Sequence, residues 1–211
     1  LRLKGGHRVA LVVFAARPSL VVPLTTDHTH LTAKLAELDA EHPPPDVRPT
    51  DESRSGTRIG AALKAAVEAH DPRFLGFQHV VLFSDGDDPV DDREWETGVT
   101  AARLAGVPVH VVGFGDPDRE TPLFRDGKPV EFADKWAASR LREDVLKAVA
   151  SAAADGAPDY TPARKDAPRM ADFVRTRIEA APPRDLPDDA LPQPKDRAVW
   201  FLAGGLLCLT I

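Results

Sequence analysis

The chain has 211 residues, of which 43% are hydrophobic and 28% charged, with a formal net charge of −6. That is enough for one sizeable α/β core and too little for a second large domain. The acidic balance and scattered basic residues argue against a nucleic-acid surface, which needs a concentrated basic face. The single cysteine, Cys208, excludes an internal disulfide framework and any cysteine-based metal knuckle.

His7 to Ala15 predicts a buried strand and Leu20 to Thr25 a second one, joined by the short turn Ala16-Arg17-Pro18-Ser19. So short a link makes the pair antiparallel, with Pro23 tolerated on the sheet edge. A helix from Thr26 or Asp27 to about Ala40 follows, carrying Leu31, Leu35 and Leu38 on one face. His28 and His30 fall on opposite sides of its first turn, so a shared metal is not expected there.

A polar, proline-rich loop from Pro43 to Ser55 leads into a helix from Arg58 to His70, with Ile59, Leu63 and Val67 inward. Val80-Val81-Leu82-Phe83 then reads as a strand buried on both faces, because its apolar residues do not alternate with polar ones. It is expected at the centre of the sheet. The strand stops at Ser84-Asp85-Gly86, which delivers a carboxylate at the carboxyl end, the edge where ligands bind in open α/β sheets. Asp87, Asp88, Asp91 and Asp92 add an acidic rim.

A helix from about Asp92 to Ala105 and a parallel strand from Val107 to Gly113 come next. Residues 116–138 form an excursion whose Asp126-Gly127 pair marks a hairpin turn. Leu141 to Ala154 is amphipathic, Pro158 to Thr161 suits a last short strand, and Met170 to Ala180 a further helix. Residues 182–194 are rich in proline and make a stiff linker.

The run from Ala198 to Ile211 carries no charge, shows no polar face, and is entered by Trp200 after Lys195 and Arg197. It is shorter than the about 20 residues that span a bilayer. It reads as the start of a transmembrane helix; a core helix is the plainer alternative.

Ser55-Gly56-Thr57 places a hydroxyl at a helix start, and Asp85 places a carboxylate at a strand end. An ionised Asp with a neutral hydroxyl is a donor pair suited to a hard divalent cation. Taken singly, Thr57 reads equally as a helix N-cap and Asp85 as a turn residue. No GxGxxG, GxxxxGK[ST], HExxH or GxSxG motif occurs, so no enzyme is expected.

The segments Arg8 to Ala15, Val21 to Asp27, Ser55 to Leu63 and Val80 to Asp88, in that order, resemble a von Willebrand factor A (VWA) domain. Within that family they look like the bacterial aerotolerance-type (Bat-like) membrane proteins. The resemblance covers about residues 8 to 162. It implies a doubly wound, mostly parallel α/β sheet with one antiparallel edge strand, plus a C-terminal transmembrane helix. The implied division is a VWA domain over 1–162, a helical extension over 163–181, the proline-rich linker over 182–197 and the membrane segment over 198–211.

The family's adhesion site holds Mg²⁺ through three loops, and by motif Thr57 takes the second-loop role and Asp85 the third. The first loop, Asp-x-Ser-x-Ser, has no counterpart, and the chain reads as a fragment lacking the first strand. Asp51-Glu52-Ser53-Arg54-Ser55 has that spacing but follows a proline-rich loop rather than a strand.

The resemblance further implies an inner-membrane protein that binds other proteins, among them a MoxR-like ATPase and other membrane VWA proteins. Metal-assisted interaction is the leading expectation. The alternatives are a metal-free assembly module and, from another class, a doubly wound hydrolase using Asp85, with Asp116 as a weak second acid.

Overall fold

The computed structural model describes residues 7–39, 41–49, 56–74, 76–88, 92–132, 135–163 and 170–179. All lie in the unit formed by residues 1–181; the other unit, 182–211, holds the linker and the apolar run and falls outside the described residues. Among the described residues no helix is long and apolar enough to cross a membrane.

Two sheets carry the fold. Strands β1 (Val9–Phe14) and β2 (Pro18–Thr25) form an antiparallel hairpin whose register slips beside Leu11. Strands β3 (Val80–Ser84), β4 (Val109–Gly113) and β11 (Tyr160–Pro162) form a parallel sheet in the order β11-β4-β3.

This corrects the expected place of Val80–Ser84. It is an edge strand among the described residues, and β4, buried at every position, is the centre. Composition reports how apolar a strand's faces are, but the edge is decided by whether another backbone offers its hydrogen bonds. Phe83 shows the consequence, at 44% exposed.

Between the sheets and around them lie α1 (His28–Ala36), α2 (Ile59–Glu68), α3 (Trp95–Leu104), α4 (Glu143–Ala153) and α5 (Met170–Arg177). Side-chain alternation sorts the parallel sheet into two faces. Val80, Leu82, Val109 and Val111 pack with Ile59, Leu63, Val99, Leu146 and Val149 of α2, α3 and α4. Val81 and Val112 pack with Phe173, Val174 and Ile178 of α5 and its exit. Helices therefore cover both faces of the parallel sheet, but β2, expected as its antiparallel edge strand, pairs with β1 in a separate sheet among the described residues.

Each helix is shorter than its sequence pattern. Helix α1 stops at Ala36, leaving Leu35 exposed while Leu31 is buried. Helix α2 begins at Ile59 with Arg58 as its N-cap and no side-chain capping bond. Thr57 is therefore not the cap that its position suggested.

The first turn of α2 is satisfied from another element. Glu94 Oε2, just before α3, accepts the Gly60 N–H at 2.8 Å. The two helices meet through glycines: a Cβ on Gly98 would lie 2.4 Å from the Gly60 carbonyl oxygen. Helix α2 also joins the hairpin to the parallel sheet, since the Arg58 N–H donates to the Ala15 carbonyl at 3.0 Å. At the other end Arg8 meets Asp71 at 3.2 Å and lies 4.2 Å from the Phe74 ring centroid. Hydrogen bonds from Arg73 and Arg8 hold the Asp71 carboxyl well below the usual carboxylate range.

The Gly60–Gly98 crossing leaves no room for a side chain. Gly98→Ala should cost about 1–3 kcal/mol by overpacking, read as a lower urea midpoint with an unchanged slope. An unchanged midpoint would show that the helices are free to separate.

Candidate functional site

The carboxyl ends of β3 and β4, with the loops around them, make the candidate edge. Parallel order puts the exit of β3, the exit of β4 and the start of α2 on the same side of the sheet.

Asp85 leaves β3 as a junction of three segments. Its Oδ2 accepts the Ser139 hydroxyl at 2.6 Å, and its Oδ1 accepts the Asp87 N–H at 3.1 Å. Its carbonyl accepts the Arg142 N–H at 2.7 Å. Gly86 has φ +74°, and a Cβ there would sit 2.9 Å from both the Arg142 carbonyl and Leu146. Glycine is thus needed for the loop to lie this close to the start of α4.

Thr57 lies beside this junction. It lines a small, partly open pocket with Ile59, Gly86, Asp88, Arg93, Glu94, Trp95 and Val145. Asp85 itself is not in that lining. Arg58, next to Thr57 in the chain, pairs with Asp92 at 2.8 Å, which holds the Asp92 carboxyl below its ordinary range. Asp116 makes a turn contact, accepting the Asp118 N–H at 3.0 Å. Asp91 and residues 51–55 fall outside the described residues.

The excursion folds back on this edge as three small antiparallel ladders. Strands β5 (Thr121–Pro122) and β10 (Ala138–Ser139) pair at its base. Strands β6 (Phe124–Arg125) and β7 (Lys128–Pro129) form the expected hairpin, with Asp126 and Gly127 at φ 52° and 70°. Strands β8 (Glu131–Phe132) and β9 (Lys135–Trp136) complete the set.

Its two attachments are specific. Ser139 holds Asp85 at the base, while at the tip Asp126 Oδ1 meets His42 Nε2 at 3.1 Å. The Asp126 N–H also donates to Glu41 Oε2 at 2.8 Å. Hydrogen bonding to Asp39 raises the His42 pKa, with Asp126 adding to it. Leu123, Phe124 and Trp136 are exposed on the excursion, at 46%, 49% and 60%.

The fit of this edge to Mg²⁺ is incomplete. Among the described residues no three His, Cys, Asp or Glu side chains converge to hold a metal. Both oxygens of the one carboxylate expected as a ligand already accept internal hydrogen bonds. A cation that sheds water reluctantly needs more than a single occupied carboxylate and one hydroxyl. Sequence reasoning missed Ser139 and Glu94, whose partners lie 54 and 34 residues away.

Residues 1–87 match the family model of the von Willebrand factor type A domain. No match was found among curated proteins. Solved structures share the fold. The conserved hypothetical protein BatB from Bacteroides thetaiotaomicron is 20% identical, with a TM-score of 0.60, covering 82% of this chain and 78% of that one. An aerotolerance-related membrane protein from Bacteroides fragilis NCTC 9343, carrying multiple mutations to serine, is also 20% identical, with a TM-score of 0.65 over 82% and 79%.

Over residues 1–87 and in its architecture the chain is similar to the von Willebrand factor type A domain proteins. Within that class it is similar to the aerotolerance-related, Bat-like proteins.

With this donor set, calorimetric titration of the 211-residue chain with MgCl₂ should show no saturable uptake below about 1 mM. Micromolar binding abolished by Asp85→Ala would show instead that Asp85 exchanges its internal partners for the cation.

Proposed function

We propose that the domain binds another protein at the strand-end edge, using the excursion as its contact surface. The observation that carries this reading is the gathering of exposed Leu123, Phe124 and Trp136 on a segment tied by Ser139 directly to the ligand-binding edge. Solvent-exposed aromatic groups beside a polar rim are characteristic of interaction surfaces, and Trp is enriched among residues that dominate binding. Asp87 and Asp88 supply the rim and favour a partner with basic groups around an apolar centre.

On this reading Thr57 and Asp85 shape the edge, and contact forms without a cation held by the chain's own residues. A Mg²⁺ completed by a partner carboxylate is the second reading, and Thr57 beside Gly86 in one pocket favours it.

The proposal includes a bilayer anchor in residues 198–211. It is supported by their uninterrupted apolar character and by the description of one fold neighbour as a membrane protein. The working location is a bacterial inner membrane, and a MoxR-like ATPase is the first partner to try. The ligand-edge role of an interaction domain, rather than hydrolysis, suits an Asp85 whose carboxylate is occupied in fastening the excursion.

A photo-crosslinking side chain at position 136 should give a discrete adduct with a partner protein in the cells that make this chain. Ser139→Ala should weaken that adduct several-fold, because the excursion loses its fastening to the edge. The same label at Leu104, 86% exposed at the far end of α3, should give none. Equal labelling from both positions, or labelling from 104 alone, would place the contact elsewhere.

A further inference from the structure

At the opposite end of the parallel sheet, three side chains far apart in sequence form a partly buried polar chain centred on His110. His110 of β4 is 6% exposed, and its Nδ1 bonds Asp159 Oδ2, just before β11. His110 Nε2 lies 2.9 Å from Nδ1 of His79, just before β3. The two rings stack at 5.2 Å between centroids, 19° from parallel.

A carboxylate only accepts, so His110 Nδ1 carries a proton and donates it. With His110 neutral, its Nε2 holds a lone pair, which the Nδ1–H of His79 fills. The chain therefore runs His79 to His110 to Asp159, and His79 Nε2 is left as the position that takes up a proton.

Helix α5 is seated on this chain. Phe173 meets the His110 ring edge-on at 5.8 Å. Arg177 Nε lies 3.4 Å from Asp159 Oδ1, a buried oxygen with no hydrogen-bond donor among the described residues. Beyond the helix, Glu179 meets His7 at 4.0 Å.

We propose that the Asp159–His110–His79 chain is a proton-operated catch for α5, closed while the two rings share at most one added proton and open when both are cationic. One proton on His79 Nε2 breaks nothing, because the Nδ1–H still donates. A second must enter at His110 Nε2, between two stacked rings, and it removes the acceptor for His79. Two imidazolium ions and Arg177 then face the single carboxylate of Asp159. Arg177, on the surface end of α5, is the group free to leave.

Among the described residues, His70 and His7 are the further charged groups that bear on the pair and its helix. His70, at the exit of α2, adds to the positive side and, after burial and His110, depresses the His79 pKa. His7 opposite Glu179 acts in the other sense, since a protonated His7 attracts it. That contact is long and its imidazole 38% exposed, so solvent screens it.

The open state holds two added protons where the closed state holds at most one, so falling pH favours opening and the seating of α5 is complete on the alkaline side. The His79 pKa, lowered by burial and then by His110, acts in the same sense.

Hydrogen exchange of the 211-residue chain, corrected for the intrinsic pH dependence, tests the catch. Between about pH 7.5 and pH 5 the peptide covering 170–179 should lose at least about tenfold more protection than the peptide covering 143–153. In His79→Gln, which can donate to His110 but cannot be charged, that excess loss should vanish. Equal losses in the two peptides, or the same excess in His79→Gln, would overturn the proposal.

Should His79→Gln fail to fold, histidine proton NMR of the unaltered chain decides. Two separated steps for the pair, with the Phe173 ring signals moving on the more acidic one, are expected. A single step with Phe173 unmoved would contradict the catch.

Discussion

Helix α2 is the element on which the rest of the structure depends. The hairpin and the parallel sheet share no backbone ladder among the described residues, so neither orients the other by strand pairing. What joins them is a helix whose preceding residue donates to Ala15 at the exit of β1, and whose Ile59 and Leu63 lie in the core against β3 and β4. The far side of α2 meets α3 at glycine-to-glycine distance, with Glu94 completing its first turn. Fixing this helix fixes the loop before it, and that loop brings Thr57 to the strand-end edge.

The edge follows from the same constraint. A parallel sheet delivers its strand exits to one side, and Asp85 uses that position for fastening rather than display. One carboxylate and its carbonyl reach the loop after β3, the base of the excursion and the start of α4. The excursion spreads from there to His42 and presents its aromatic groups to solvent. The two proposals thus concern opposite ends of the sheet: partner contact at the carboxyl edge, and the seating of α5 on the paired histidines at the amino end.

Much of this was legible in the sequence, because it is written in local chemistry. The apolar runs of β3 and β4, the proline-bearing hairpin of β1 and β2, and the Asp126-Gly127 turn are short-range signals, and each has its expected strand or turn type. The rank of β3 in the sheet was not legible, since Val80 to Phe83 would read the same with or without a neighbour on its outer edge. Nor was the first turn of α2. Thr57 has the right chemistry for a cap, but an acid 34 residues later meets the orphan N–H instead. Ser139 on Asp85 and the chain from His79 to Asp159 were hidden for the same reason, because nothing in spacing marks partners that only the fold brings together.

The claim that α2 is the joint between the two sheets is tested most directly by hydrogen exchange on Glu94→Ala. That change removes the acceptor of the Gly60 N–H without touching the hairpin. The account requires that protection in β1 and β2 fall together with that of α2, while β4, β11 and α4 keep theirs. A hairpin that keeps its protection while α2 loses its own would show that the sheets are held together by something other than this helix.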